Sequence, residues 1–209
     1  LSRFNATAKF GAELTKWLRF NYSLRYVRQD LSRPTAFGGG LYESIGRQTW
    51  PNLPVYDENG YYHNSNGGGP AMSLALGGDR GVQTDKTYQQ ASLVFEPIKN
   101  WITNVEFNYS TNTIDTREVS LPYYNHDVNG NIVDTNGDTS LYQDFKKENY
   151  MNWNIYSTYG FSINDAHNIK VMAGFQTEEM RQKFFSAKGY GLQVEDLPEL
   201  DLISNIDGA

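Results

Sequence analysis

The chain contains no cysteine, so neither a disulfide framework nor a thiolate metal site can form. It also lacks any apolar run of about eighteen residues, and its mean hydropathy is −0.61, which together exclude a transmembrane helix. Strands that cross a bilayer escape that test, because polar residues facing a lumen dilute each one. No basic excess is present: the net charge of −6 gives no footprint for nucleic acid. The three histidines, His63, His126 and His167, are scattered singly, without the spacing of a zinc site. No Gly-x-Ser-x-Gly elbow occurs, and Glu178 and Glu179 fall on opposite faces of a strand pattern, so nothing argues for an enzyme. The glycine runs 38–40 and 67–69 lack the following Lys-Ser or Lys-Thr of a phosphate cradle and read as flexible loop.

What is there is alternation. Phe4, Ala6, Ala8, Phe10, Ala12 and Leu14 fall on one side of a strand, and Arg3, Asn5, Thr7, Lys9 and Glu13 on the other. After a turn near Thr15 and Lys16, Leu18, Phe20, Tyr22, Leu24 and Tyr26 alternate with Arg19, Asn21, Ser23 and Arg25. Ala91, Leu93 and Phe95 continue the pattern, with Val94 breaking the polar side, and Pro97 to Asn100 turn the chain. Trp101, Thr103, Val105, Phe107 and Tyr109 then oppose Asn104, Glu106, Asn108 and Ser110, with Ile102 a misfit. Met151, Trp153, Ile155, Tyr159, Phe161 and Ile163 follow, and, after a turn at 164–167, so do Ile169, Val171, Ala173 and Phe175. The pattern predicts an all-β chain of about six strands, near 2–14, 17–30, 83–96, 101–111, 148–163 and 168–184, tied as three hairpins.

The connections alternate between very short and very long, with long loops at 31–82, 112–147 and 185–209. Compact domains rarely carry such loops. Short turns at one end and long loops at the other are the asymmetry of an antiparallel up-and-down transmembrane β-barrel, with periplasmic turns and extracellular loops. Trp17 and Trp101, at strand starts after short turns, suit an interfacial aromatic girdle, although a tryptophan can also cap a soluble sandwich core. Six hairpin-tied strands leave two unpaired edges, so the membrane reading expects a portion of a longer barrel. The competing expectation is a soluble all-β glycan-binding module, which alternating strands fit equally well locally.

Asp-x-Asn-Gly occurs three times, at 57–60, 127–130 and 134–137, and is first of all turn chemistry. No cofactor is expected, although the oxygen-rich stretch 127–138 allows a loose surface calcium; its glycine and glutamate positions do not match an EF-hand. Trp50, Tyr56, Tyr61, Tyr62, Tyr123 and Tyr124, with Arg80, are the candidate substrate-contacting residues of the long loops, because aromatic faces beside polar groups suit sugar rings or peptide side chains. Packing of a large loop onto itself is the plainer role for any one of them. Alternation places Arg19, Asn21, Arg25, Asn104, Glu106 and Asn108 on the side that would line a lumen.

Three stretches carry a family resemblance: Arg3-Phe4-Asn5-Ala6-Thr7-Ala8, Trp17-Leu18-Arg19-Phe20-Asn21-Tyr22-Ser23, and the loop from Trp50-Pro51-Asn52-Leu53-Pro54 through Val55-Tyr56-Asp57-Glu58-Asn59-Gly60. With the tract Asn168 to Gln176, they resemble the SusC/RagA-type TonB-dependent transporters of Bacteroidetes outer membranes. The resemblance spans about Arg3 to Ser186, and the proline-rich loop is its most specific part. It implies a 22-stranded barrel in outer-membrane lipid, of which this chain is a part, with a plug domain absent from these residues. It further implies a SusD-like surface lipoprotein as lid, a TonB complex acting through the plug, and uptake of oligosaccharides or peptides.

Overall fold

The computed structural model describes residues 1–48, 52, 54–63, 69–164 and 166–207. Its principal strands are β1 (Ser2–Thr15), β2 (Leu18–Pro34), β3 (Asp79–Ile98) and β4 (Trp101–Ser120). A small hairpin follows, β5 (Tyr123–His126) and β6 (Ile132–Asn136), and then β7 (Ser140–Ile163), β8 (His167–Leu192) and β9 (Ile203–Asp207). Two short helices, α1 (Gly39–Gln48) and α2 (Pro70–Leu76), lie between β2 and β3. One antiparallel sheet runs β1-β2-β3-β4-β7-β8-β9, and β5 and β6 pair with each other as a separate two-stranded sheet. The chain is all-β, an up-and-down sheet curled as half a barrel.

Tight turns close one end of the sheet. Residues 16–17 separate the paired Thr15 and Leu18, and residues 99–100 separate Ile98 and Trp101. Asn100 and Asn164 take positive φ of 68° and 52°, which asparagine tolerates better than most side chains. The first two turns lock onto the neighbouring strand: the Glu96 amide donates to Trp17 O at 2.8 Å and the Gly160 amide to Asn100 O at 3.1 Å.

At the other end the strands outrun the alternation that announced them. β4 continues to Ser120 rather than 111, β7 begins at Ser140 rather than 148, and β8 reaches Leu192 rather than 184. Beyond Tyr109 both faces of β4 are largely polar, so no two-sided pattern survives. Threonine, isoleucine and valine at 111, 113, 114, 116 and 119 still favour the pleated backbone.

The long connections are accordingly shorter than expected, and their described residues form local structure. Leu41 of α1, Met72 of α2, Leu141 of β7 and Leu192 of β8 are buried, as is Asn125 of β5, so the loop end carries its own small core. Pro70 starts α2, where its missing N–H costs nothing. Gly78 then returns the chain to the sheet at φ 93°, and a Cβ there would lie 2.1 Å from Val119 O. Hydrogen bonds seal this junction, from the Thr35 amide to Gly78 O at 2.9 Å and from Thr35 Oγ1 to Val119 O at 2.7 Å.

Candidate functional site: a two-faced wall and its loop end

Register assigns every strand residue to one of two faces. On the apolar face, Phe10, Tyr22, Ala91, Phe107 and Trp153 form one continuous row. The side chains stand open, Phe10 at 60% and Phe175 at 63% exposure. Exposed aromatic surface on this scale calls for a partner other than water. Trp17 packs edge-on to Phe95 at 5.3 Å, and Trp101 donates its indole N–H to Ser157 Oγ at 2.8 Å; both stand at the turn-side border of this surface.

The loop-side border of the apolar surface descends across the sheet as an uneven staircase, dipping at β3, rising by two residues at β4 and staying level to β7 before its last drop at β8. Its last members are Phe4, Tyr26, Ala91, Tyr109, Met151 and Phe175 on β1, β2, β3, β4, β7 and β8. Phe4 lies opposite Arg28, whereas Phe175 connects through Ile155, Val105 and Leu93 to Phe20, eight residues nearer the turn end. The drop is about 26 Å along the strands over about 24 Å across them, the geometry of strands tilted ~45° from the normal of a flat apolar slab. On β7 the band from Ile163 to Met151 covers about 40 Å of strand, or ~28 Å along that normal, near the ~25 Å apolar height of a membrane barrel.

All six candidate lumen residues fall on the opposite, polar face. Arg19 and Asn104 share a row, Asn21 and Glu106 the next, and Ser23 and Asn108 the next. Glu106 accepts from Asn154 Nδ2 at 3.3 Å and from the Tyr156 hydroxyl at 3.2 Å, and Asn108 Nδ2 donates to Asn152 Oδ1 at 3.2 Å. Asn21 Nδ2 donates to Ser92 Oγ at 3.4 Å. The partners on β7 were not singled out from sequence; pairing register, which alternation alone does not supply, joins them to β4.

One row on, Arg25, Tyr88, Ser110 and Tyr150 stand side by side. Small Ser110 between two tyrosines about 10 Å apart opens a recess of ≈ 500 Å³, with Ser23 and Asn108 of the neighbouring row lining its turn side. Tyr150 donates to Glu178 Oε2 at 2.7 Å, and Arg25 has no ion pair among the described residues. The recess thus offers two aromatic walls, a free guanidinium and amide donors, the equipment to hold a polar ligand with a flat face.

The loop candidates divide. Tyr56 and Tyr62 pair across a bridge with ring centres 4.8 Å apart. Tyr61 stacks on His126 of β5 at 4.3 Å, and Asn59 Nδ2 donates to Val128 O at 2.9 Å, joining the first long connection to the second. Tyr123 and Tyr124 belong to β5, opposite Asn136 and Thr135. Arg80 is not a loop residue: it lies in β3 on the polar face, opposite Arg33, and pairs with Glu118 at 3.0 Å. Trp50 lies outside the described residues.

Two of the three Asp-x-Asn-Gly segments make the same turn. Asp57 Oδ1 accepts the amides of Asn59 and Tyr61, each at 2.9 Å; Asp127 Oδ1 accepts those of Asn129 at 2.8 Å and Asn131 at 2.9 Å. Hydrogen bonds from the Asn131 side chain and then its amide hold the Asp127 carboxyl below the usual carboxylate range. The third segment is no such turn: Asp134 to Asn136 run within β6, opposite β5. Among the described residues no three metal-ligating side chains cluster.

A two-faced, tilted, antiparallel sheet with tight turns at one end and built loops at the other is a portion of a β-barrel wall. Its fold is similar to that of a chain in the structure of the RagAB peptide transporter, with a TM-score of 0.72 over 98% of this chain at 14% identity. This chain spans 24% of the length of that one, about a quarter. No family model matches the sequence, and no curated protein does.

Proposed function

We propose that this chain is part of the barrel wall of an outer-membrane, TonB-dependent active transporter of the SusC/RagA type. Such a transporter imports oligosaccharides or peptides together with a SusD-like lipoprotein. The observation that carries the reading is the staircase border: an apolar face whose edge follows the strand tilt of a membrane barrel, backed by a hydrogen-bonded polar face. In this reading Arg19, Asn21, Arg25, Asn104, Glu106 and Asn108 line the lumen, the recess beside Arg25 meets passing substrate, and the joined tyrosine hairpins form part of the extracellular mouth beneath the lipoprotein. The TonB complex acts through a plug to which no residue of this chain is assigned.

The reading involves no catalysis and no cofactor; calcium at 127–138 would have to compete with the amides already held by Asp127. The alternative of a soluble glycan-binding module is disfavoured, since it would have to cover the open row through Phe10 and Trp153. The test is an antibody raised against residues 55–63, used to probe fractionated source cells. A species several times larger than 23.8 kDa in the outer-membrane fraction is expected. A soluble species near 23.8 kDa would overturn the proposal in favour of the binding module.

A further inference from the structure

The polar face segregates its charge. On β1–β3 it carries Lys9, Arg25 and Lys86, flanked by Arg3, Arg19 and Arg33, with Arg80 held in its pair with Glu118. The carboxylates that alternation places on the same face of these strands, Glu13 and Glu96, lie at the turn end, at least four residues below Lys9. On β4, β7 and β8 the face is acidic, and most of its carboxylates are engaged: Glu106 by Asn154 and Tyr156, Glu118 by Arg80, Glu148 by Asn112, Lys146 and Gln182, and Glu178 by Tyr150. Asp144, Lys170 and Lys188 complete the charges of those three strands on this face. Among the described residues Lys9, Arg25 and Lys86 have no ion-pair partner. Along its row Lys86 reaches a carboxylate only at Glu148, two strands away across Asn112.

Register sets these three cations on one diagonal. Lys9 stands opposite Ser23, Arg25 lies two residues on from Ser23, and Lys86 stands opposite Val27, two residues further. Each step is one strand over and two residues toward the loop end, about 8 Å between positions. Such a line climbs ~7 Å along the strands for each ~5 Å across them, and with strands tilted ~45° in the sense of the apolar border it runs within roughly 15° of the membrane normal. The cations thus form a ladder up the wall. Space lies beside it: the recess at Arg25 continues on its turn side into a second of ≈ 370 Å³ at Lys9, the two sharing Ser23 and Gln90. Among the described residues no carboxylate lines either recess.

We propose that Lys9, Arg25 and Lys86 bind successive carboxylate groups of an acidic oligomer moving along the wall. The inference rests on the transporter reading and narrows its substrate class to anionic chains. A cation without a protein partner is free to make charge-assisted hydrogen bonds to a ligand carboxylate, and the guanidinium of Arg25 can do so bidentately. Carboxylates on alternate residues of an extended peptide recur about every 7 Å, close to the rung spacing, and acidic sugars in a chain offer the same group. The acidic face of β4, β7 and β8 repels such a chain and keeps it on the ladder.

The experiment measures binding to the full outer-membrane protein in detergent by titration calorimetry, with trigalacturonate and triglutamate as acidic probes and maltotriose and triglutamine as their neutral counterparts. At least one acidic probe is expected to bind about tenfold more tightly than its counterpart, with an affinity that falls as salt rises; the tighter acid identifies the source of the carboxylates. Arg25→Gln is expected to weaken that probe about tenfold, and Lys9→Gln and Lys86→Gln about fivefold each. Arg25→Lys should retain most of the binding, and Lys147→Gln on the outward face should leave it unchanged. If Arg25→Gln folds poorly, Lys9→Gln and the salt dependence of the wild type provide the reading. Neutral probes bound as tightly as acidic ones, or glutamine variants equal to wild type, would overturn the proposal and leave the transporter reading intact. Glutamine variants that lose thermal stability but keep acidic-probe binding would assign the ladder to carboxylates elsewhere in the full protein, which also overturns it. Failure of the wild-type protein to enter bilayers would instead overturn the transporter reading itself.

Discussion

The turn-side and loop-side halves of the same strands obey different rules. Between the turns and Met151, β7 sends Phe161, Tyr159, Ile155 and Trp153 to one face and Tyr156, Asn154 and Asn152 to the other. From Tyr150 to Ser140 the same strand, still fully paired, puts polar side chains such as Lys147, Asn149, Lys146 and Glu148 on both faces. Backbone pairing is indifferent to the change, since each peptide group finds its partner across the ladder. Side chains are not indifferent: alternation persists where the two faces meet different media and vanishes where both meet water. A strand's chemical pattern therefore reports its surroundings, and its length must be found from pairing.

The largest effect that could break this comparison is a charge placed in the band. Ile155→Arg is expected to destabilise the membrane-inserted protein by roughly 2–4 kcal/mol in reversible urea unfolding from lipid vesicles. Thr113→Arg, on the same face beyond the border, is expected to stay within about 0.5 kcal/mol. Equal penalties would erase the distinction between the halves. Next comes the loop-end junction: Gly78→Ala forces a Cβ onto Val119 O at a positive φ, with an expected loss of about 1–3 kcal/mol and faster hydrogen exchange at the Thr35 and Leu121 amides.

On the polar face, Glu106→Gln leaves the Tyr156 hydroxyl and Asn154 Nδ2 competing for a single amide oxygen. The expected cost is roughly 1 kcal/mol, with uptake altered and insertion unchanged. The smallest effect concerns the exposed turn at Asp127. Its folded carboxyl titrates below the usual range, so its contribution is fully present above the ordinary carboxylate pKa and is lost as pH falls through the lowered value. Amide exchange at Asn129 and Asn131 should stay slow through neutral and mildly acidic pH and accelerate only under strongly acidic conditions. Acceleration already at pH 5 would count against that turn.

The turn-side halves were legible in the sequence because two media impose a period of two, and the six paired strands follow from it. What alternation could not supply was register, and with it the staircase, the rows joining Glu106 to Asn154 and Asn108 to Asn152, and the recess between Tyr88 and Tyr150. Asp134 to Asn136 read as a turn because Asp-x-Asn-Gly specifies local geometry, yet pairing with Tyr123 to Asn125 drew the segment into β6. The glycines at 38–40 read as loop, but α1 forms over 39–48 because packing of Leu41 overrides weak helix propensity. Arg80 falls within the expected loop 31–82 because alternation is weak at the start of the third strand, whereas Gly77 and Gly78 turn the chain early enough to put it in β3.

The absence of cysteine permits the most direct test, single-cysteine spin labelling of the reconstituted outer-membrane protein, with any cysteines outside this chain removed. The account predicts that labels at Met151→Cys, Trp153→Cys and Ile155→Cys are relaxed by oxygen and shielded from a water-soluble nickel chelate. Labels at Asn152→Cys and Asn154→Cys should avoid oxygen relaxation, and Thr113→Cys should reach the chelate freely. Equal chelate access at Trp153→Cys and Thr113→Cys would mean that the apolar face does not meet lipid, and would contradict the barrel-wall account at its foundation.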